Sequence, residues 1–464
     1  METKNKGLNV SVKSFLTAIA VILVLMVLTY ILTFLIPGGA YARITDGSGN
    51  TIIDAEAGFT YAEGGLPLWK WLLSPFLVLG ADGGGMVAAI IAFLLVIGGI
   101  FNALEVCGLM KYMLDKIVHR FAKARYKLMA VITFFFMAMG SFIGSFEECV
   151  PLVPIVVALA LSLGWDKVTG MGMSLLAVGC GFAAGVCNPF TVGVAQRLAG
   201  LPMFSGIWLR AVAFVLIYAL LLLFLRRHAK KVDSGFDAME QTFTPDAKLD
   251  KGLVCFGSIV GVGILIVLSS GFITALQDYT MIIVAVMFLA AGFTATLASG
   301  MSGKDLGRSF WKGLVAIFPA VLLILMASSI KYTLTEGQIL DTILYWAVTA
   351  VQDLPQWLII LFIYLLVLVM NFFISSGSAK AFLLIPLIVP MAQLFGISSQ
   401  LCVMAFAFGD GFSNVFYPTN AALLIALGLA DVSYVQWIRY SWKFQVANLL
   451  LTSALLLLGL GIGY

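Results

Sequence analysis

The sequence predicts an all-α polytopic membrane protein, built as an inverted repeat with two re-entrant hairpins and two broken helices. Three observations predict it. The 464 residues are 61% hydrophobic and 11% charged, with a mean hydropathy of +1.06. A soluble domain carries about one quarter charged residues, and no water-soluble core absorbs this much apolar side chain. Apolar runs of about 20 residues recur, long enough to cross the hydrocarbon as helices, whereas the alternating segments of about 10 residues that mark a barrel do not appear. Finally, four of the apolar stretches are interrupted by polar tips or helix breaks, and these interruptions recur at a constant spacing.

The chain begins with a basic segment, followed by an apolar run from about Phe15 to Ile36. That run is too long for a signal-peptide core and has no small-residue cleavage site, so it reads as a retained first helix. A polar loop over 37–67, with turn chemistry at Asp46-Gly47-Ser48-Gly49-Asn50, reads as a small extended excursion. Leu68-Trp69-Lys70-Trp71 is interfacial in character, because tryptophan prefers the headgroup level. A span over about Met86–Glu105 leads into an amphipathic basic stretch, Lys111–Lys127. The first half, 1–225, then holds a hairpin at about 128–164, a broken helix at about 168–200 and a span from Ile207 to Leu225. Residues 226–251 are the only long polar segment in the middle and read as a cytoplasmic linker. The second half, 252–464, has an extra span at 253–268 and spans at about Tyr279–Ala298 and Leu314–Ile330. Its amphipathic stretch Thr333–Asp353 precedes a hairpin at about 354–396, a broken helix at about 398–430 and a last span from Phe444 to Ile462.

Charge orients the chain. With the N-terminus in the cytoplasm, nine crossings and two hairpins, the cytoplasmic segments hold 21 of the 27 basic residues. This is a strong positive-inside bias, and it falls sharply if each hairpin becomes a full crossing. The sequence therefore predicts a multi-pass protein of the inner (plasma) membrane, with its N-terminus cytoplasmic, its C-terminus outside and the lipid bilayer as its partner. Nothing points to nucleic acid. The six cysteines lie in or beside apolar segments without metal-ligand spacing, and the two histidines sit in basic clusters. No cofactor is expected beyond Na+ or H+ as a coupling ion.

The repeat is read from landmarks. Pro154 and Pro386, Gly164 and Gly396, and Asn188 and Asn420 are each 232 positions apart. In the topology above, the first hairpin enters from the cytoplasm and the second from outside, so the copies are inverted. That architecture holds substrate near the membrane midplane between discontinuous helices.

Four polar elements carry the chemistry. The re-entrant tip Ser375-Ser376-Gly377-Ser378 leaves helix-end amides and carbonyls unpaired, and free amides at a helix N-terminus attract a carboxylate. Unwound carbonyls and hydroxyls also suit a dehydrated sodium ion, while the blander use of such residues is close helix packing. The other tip, Ser145-Phe146-Glu147-Glu148, places two ionisable groups at membrane depth, which is costly and points to function. Glu147 and Glu148 have several uses open to them: binding an ammonium or guanidinium, coordinating a cation, carrying a proton, or a structural ion pair with Lys380. Lys380 in turn has three: pairing with the glutamates, binding a substrate carboxylate, or replacing a coupling cation. Asn188-Pro189-Phe190-Thr191 breaks one helix, because proline removes a donor and steers the residue before it out of the helical region. Its counterpart is Asp410, Ser413 and Asn414, followed by Pro418, Thr419 and Asn420. Asp410 suits ion binding or a structural cap of the break. Gln196 and Arg197, just after the first break, can face either the site or water.

These stretches, NFFISSGSAKAF, FGDGFSNVFYPTN, the Asn188-Pro189-Phe190 break and the Glu-Glu hairpin, resemble the YfcC/DcuC-type carriers of the ion-transporter superfamily. The resemblance covers most of the chain. It implies an elevator-type ion-transporter fold similar to the divalent-anion/sodium symporters, often a homodimer, with the tips and breaks as binding residues. It also implies a small-molecule substrate, a basic amino acid (arginine/ornithine exchange) or a C4-dicarboxylate. Two positions depart from the pattern, which favours a small or amide residue at Lys380 and a less bulky one at Tyr417. The expected function is secondary active transport of a small carboxylate-bearing metabolite, an amino acid first and a C4-dicarboxylate second. An intramembrane hydrolase lacks a nucleophile–base signature here, and a channel has no use for hairpins entering from opposite sides.

Overall fold

The computed structural model describes residues 12–45, 51–53, 58–81, 84–121, 124–144, 146–202, 204–233, 244–270, 279–350 and 354–464. Among them, eight helices are long and apolar enough to cross a membrane, or nine when one bent pair counts as a single span.

The first helix, α1 (Val12–Leu35), stops before Pro37 and gives way to two antiparallel ribbons. Strand β1 (Gly38–Tyr41) pairs with β4 (Phe59–Ala62), and β2 (Arg43–Thr45) pairs with β3 (Thr51–Ile53). These ribbons are the extended excursion that turn chemistry predicts; its Asp46–Asn50 turn lies outside the described residues. Helix α2 (Leu68–Leu77) carries the tryptophans, and Trp71 Nε1 donates to the Met26 carbonyl of α1 at 3.1 Å.

An outer layer follows from small residues that let helices touch. In it, α3 (Gly84–Val106) packs along α12 (Thr280–Ala298) and α13 (Gly303–Glu336), and α11 (Ala247–Ser270) packs on α12. Gly99 of α3 lies under the Phe310 ring, and Gly292 lies against Ile100. The expected span Leu314–Ile330 is part of the longer α13, which bends by 41° between Ala316 and Val321, where Pro319 lies. The amphipathic stretch after it divides between the end of α13 and α14 (Leu340–Thr349). Asp341 of α14 receives the Tyr41 amide at 2.9 Å and Arg43 at 2.9 Å, which docks the ribbons onto this layer. Helix α4 (Leu109–Phe121) carries the first part of the basic stretch Lys111–Lys127, and Arg125 and Lys127 belong to the next helix.

The inner layer holds both tips and both breaks. Hairpin 1 is α5 (Arg125–Ala138), a π turn over Met139–Ile143, a reversal at Gly144 with φ 79°, a 3-10 turn over Glu147–Leu152 and α6 (Val153–Ser162). Broken helix 1 runs through α7 (Lys167–Met171) and α8 (Ala177–Ala184), breaks at Gly185–Asn188, and resumes through a π turn into α9 (Val194–Leu198). Helix α10 (Ile207–Lys231) follows, so helix takes both ends of the polar 226–251 segment. Hairpin 2 is α15 (Gln356–Phe373) and α16 (Gly377–Leu394). Broken helix 2 is α17 (Ser399–Gly411), a 3-10 turn over Phe412–Val415 and α18 (Ala421–Ala430), followed by α19 (Tyr434–Gly461).

Burial separates the layers. The most apolar stretch of Lys167–Leu198 is 94% buried, against 17% for Ala247–Ile266 of α11. Broken helix 1 is therefore central, and α11 is peripheral. The two broken helices run antiparallel. Lys167, at the start of the first, pairs with Asp431, just past the end of the second, at 2.7 Å. Gln196, near the end of the first, reaches Gln400, at the start of the second, at 3.3 Å. Packing is reciprocal as well: α16 of hairpin 2 packs on α9, and α6 of hairpin 1 packs on α18. The 232-residue spacing recurs in backbone detail. Gly164 and Gly396 both have positive φ, 83° and 73°, and Asp166 and Ser398 both cap the helix that follows.

Candidate functional site

The second half builds the denser cluster. Lys380 stands in the first turn of α16, and its ammonium points back under the tip to Asp410 in the last turn of α17. The Nζ–Oδ1 distance is 2.6 Å and both side chains are wholly buried. Lys380 also donates to the Ile374 carbonyl at 3.0 Å and to Asn371 Oδ1. Asn371 Nδ2 donates to Ser413 Oγ at 2.6 Å, Asn414 Oδ1 at 2.9 Å and the Asp410 carbonyl at 3.1 Å. Asn420 caps α18 by accepting from the Leu423 amide, and it donates to Asn414 Oδ1 at 3.2 Å. This corrects one reading of Lys380: its partner is Asp410 and not the glutamates, because the first turn of α16 lies directly over the end of α17.

The tip above this cluster stays open. Ser375 and Ser376 are exposed, and Ser376 Oγ accepts from the Ala379 amide as the cap of α16. Gly377 sits where both halves meet: a Cβ there falls 2.6 Å from Asp410 Oδ2 and 2.5 Å from Thr191 Cγ2. Ser378 is half-buried.

In the first half, Asn188 plays the part that Asn420 plays in the second. Its Oδ1 accepts from the amides of Phe190 at 3.0 Å and Thr191 at 3.3 Å, which satisfies donors freed by the break at Pro189. Gly144 of hairpin 1 closes directly on the Asn188 side chain, with no room for a Cβ. Among the described residues, Asn188 Nδ2, Thr191 Oγ1, Asp410 Oδ2 and Thr419 Oγ1 of the two breaks are buried with neither a hydrogen bond nor an ion pair. Such atoms are costly unless a ligand or solvent meets them. Ser145 lies outside the described residues.

The two glutamates separate. Glu147 lines an otherwise apolar cavity with Ile90, Phe93 and Ile97 of α3 and Ala422, Ile425 and Leu429 of α18. Glu148 lines a different one, with Val260 and Ile264 of α11 and Val284, Met287 and Phe288 of α12. Both cavities lie on the boundary between the inner and outer layers. Among the described residues, no basic side chain pairs with Glu147.

Three contributors escape a reading of the sequence. Asn371 lies inside an apolar arm, and its position alone does not show that it organises the cluster. Arg210 is wholly buried in α10 and donates to the Val186 carbonyl at 3.4 Å and the Ser205 carbonyl at 2.9 Å, tying down the break of helix 1. An arginine within an apolar span is its available signal. Helix α19 carries a buried polar face, Ser441, Gln445, Asn448 and Thr452, at helical spacing. Of the two polar residues just after the first break, Gln196 is buried and Arg197 exposed.

An apolar multi-pass chain with polar tips and breaks in its interior has the construction of a membrane carrier. The family model of the C4-dicarboxylate anaerobic carriers (DcuC) matches residues 15–461, and the chain belongs to that family. It is 29% identical over 377 residues to YfcC of Escherichia coli (strain K12), provisionally described as a basic amino acid antiporter; the match covers 76% of this chain and 74% of YfcC. It is 25% identical over 388 residues to a Haemophilus influenzae protein of unassigned function, covering 79% and 74% of the two chains. Among solved structures, the YdaH transporter of Alcanivorax borkumensis aligns over 97% of this chain and 99% of its own at 19% identity. MtrF of Neisseria gonorrhoeae, described within a class of antimetabolite efflux pumps, aligns over 95% and 94% at 15% identity. Both superpose with a TM-score of 0.45, too low to carry a mechanism.

Proposed function

We propose that this carrier moves a small carboxylate-bearing metabolite whose opposite end is cationic, a basic amino acid, by uptake or exchange across the inner membrane. One observation carries the reading. Lys380 is committed to Asp410, so its charge is not available to a substrate carboxylate, whereas Glu147 faces a cavity with no basic partner among the described residues. The acidic tip then receives the ammonium or guanidinium, and the opening turn of α16 at Ser375–Ser378 receives the carboxylate through its free amides. Antiparallel broken helices and reciprocal hairpin packing support an inverted repeat. The cavities on the layer boundary support an elevator, in which the inner layer slides against the outer one.

A second reading, a C4-dicarboxylate carrier, follows from the description of the family. It requires a site that accepts two negative charges beside Glu147, which like-charge repulsion opposes. Counterflow in proteoliposomes decides between them. Vesicles loaded with arginine or ornithine should accumulate labelled basic amino acid. Counterflow with succinate or fumarate alone overturns the first reading and establishes the second.

A further inference from the structure

We propose that the Lys380 ammonium is a resident cation: it fills, from within the chain, a monovalent-cation site formed by Asn371, Ile374 and Asp410. The second half of the core then needs no dissolved coupling ion at this position. The meaning for transport rests on the carrier reading above; the cage does not.

Nζ has three protons to donate. It meets three oxygens of three kinds: the Asp410 carboxylate at 2.6 Å, the Ile374 backbone carbonyl at 3.0 Å and the Asn371 side-chain carbonyl. Carboxylate and unwound carbonyl oxygens are the donors that replace the hydration shell of a small cation in membrane proteins. The cage is preorganised. The two protons on Asn371 Nδ2 are shared among Ser413, Asn414 and the Asp410 carbonyl, which turns its Oδ1 toward Nζ. Two helix C-termini converge on the same point. Ile374 closes α15 in extended geometry, and Asp410 lies in the last turn of α17. Helix C-termini concentrate partial negative charge, so this position holds a cation whichever one is supplied.

Among the described residues, the first half shows no such cage. At the 232-residue spacing, Glu148 stands where Lys380 does, and Met139 and Val178 stand where Asn371 and Asp410 do. One equivalent position has opposite charge in the two halves, and in the second half three oxygens surround it. A merely structural ion pair would lose stability on removal of the lysine and gain nothing from sodium. A cation site should accept sodium in its place.

The test is thermal unfolding of the full-length protein in detergent, in sodium chloride against equimolar choline chloride and without substrate. The wild type should melt at the same temperature in both salts. Lys380→Ala should be raised by several degrees in sodium chloride, saturably, and Lys380→Ala/Asp410→Asn should show no such rise. A folded Lys380→Ala protein indifferent to sodium overturns the proposal. So does a wild type that responds as strongly as the variant, or a double variant that still responds. If Lys380→Ala is not recovered folded in choline chloride, its recovery as a monodisperse protein in sodium or methylammonium chloride supports the site, and failure in all three salts overturns it. No substrate enters the assay, so its failure leaves the basic amino acid reading standing.

Discussion

At the scale of single residues, Lys380 and Asp410 form an ion pair with no exposed side chain, which tolerates change poorly. Removing one partner of a buried pair strands the other charge, at about 3–5 kcal/mol, while replacing both with apolar residues of similar volume is far milder. In sodium-free buffer, Lys380→Ala should therefore lose about 3–5 kcal/mol of stability. Lys380→Met/Asp410→Leu should recover most of it, as read by denaturant midpoints in detergent. The two glutamates offer a sharper test, because the cavities they line have different walls. Under the basic amino acid reading, Glu147→Gln should weaken apparent substrate affinity roughly 10- to 100-fold, the worth of one charge-assisted hydrogen bond. Glu148→Gln, which faces α11 and α12, should do so much less. Equal losses from both would remove Glu147 from its assigned place. The acidic tip was legible in the sequence because carboxylates at membrane depth are expensive. Which carboxylate faces which cavity was not, since adjacent residues diverge only once the 3-10 turn is built.

At the scale of elements, the two broken helices touch through glycine. A Cβ on Gly411 of α17 would run into the backbone of Ala183 in α8, which cannot yield as a flexible side chain does. Gly411→Val should cost about 1–3 kcal/mol through forced separation of the breaks, and it should lower the melting temperature even where uptake is not assayed. Hairpins and breaks were readable in the sequence because a polar tip between apolar arms, or Asn-Pro within a span, frees backbone groups that lipid cannot satisfy. The roles of Arg210 and of the polar face of α19 were not. Each falls inside a long apolar helix, and its neighbours give it a role: the Val186 and Ser205 carbonyls for Arg210, and the Phe412 carbonyl of the second break for Gln445 of α19.

At the scale of the whole molecule, the elevator reading makes a geometric demand. The pair Lys167–Asp431 lies within the inner layer, whereas Phe93 of α3 and Ile425 of α18 face one cavity across the layer boundary. In a background lacking the six native cysteines, thiol cross-linking of cysteines at 167 and 431 should leave exchange intact. Cross-linking at 93 and 425 should abolish it, with reduction restoring activity. Exchange that survives the second cross-link would exclude sliding of the inner layer along this boundary.

The sequence by itself determined that the chain lives in a bilayer and is helical, and where the chain is interrupted, because these depend on local composition, hydropathy and turn chemistry. It also determined the 232-residue spacing, which survives as matching caps and positive-φ glycines. Only the tertiary structure decided the pairing of charges. Lys380 and Asp410 lie on different helices, and nothing local prefers Asp410 over Glu147 or Glu148. The choice belongs to the crossing of α16 over the end of α17, where Asn371 and the Ile374 carbonyl complete an oxygen cage that no linear spacing encodes.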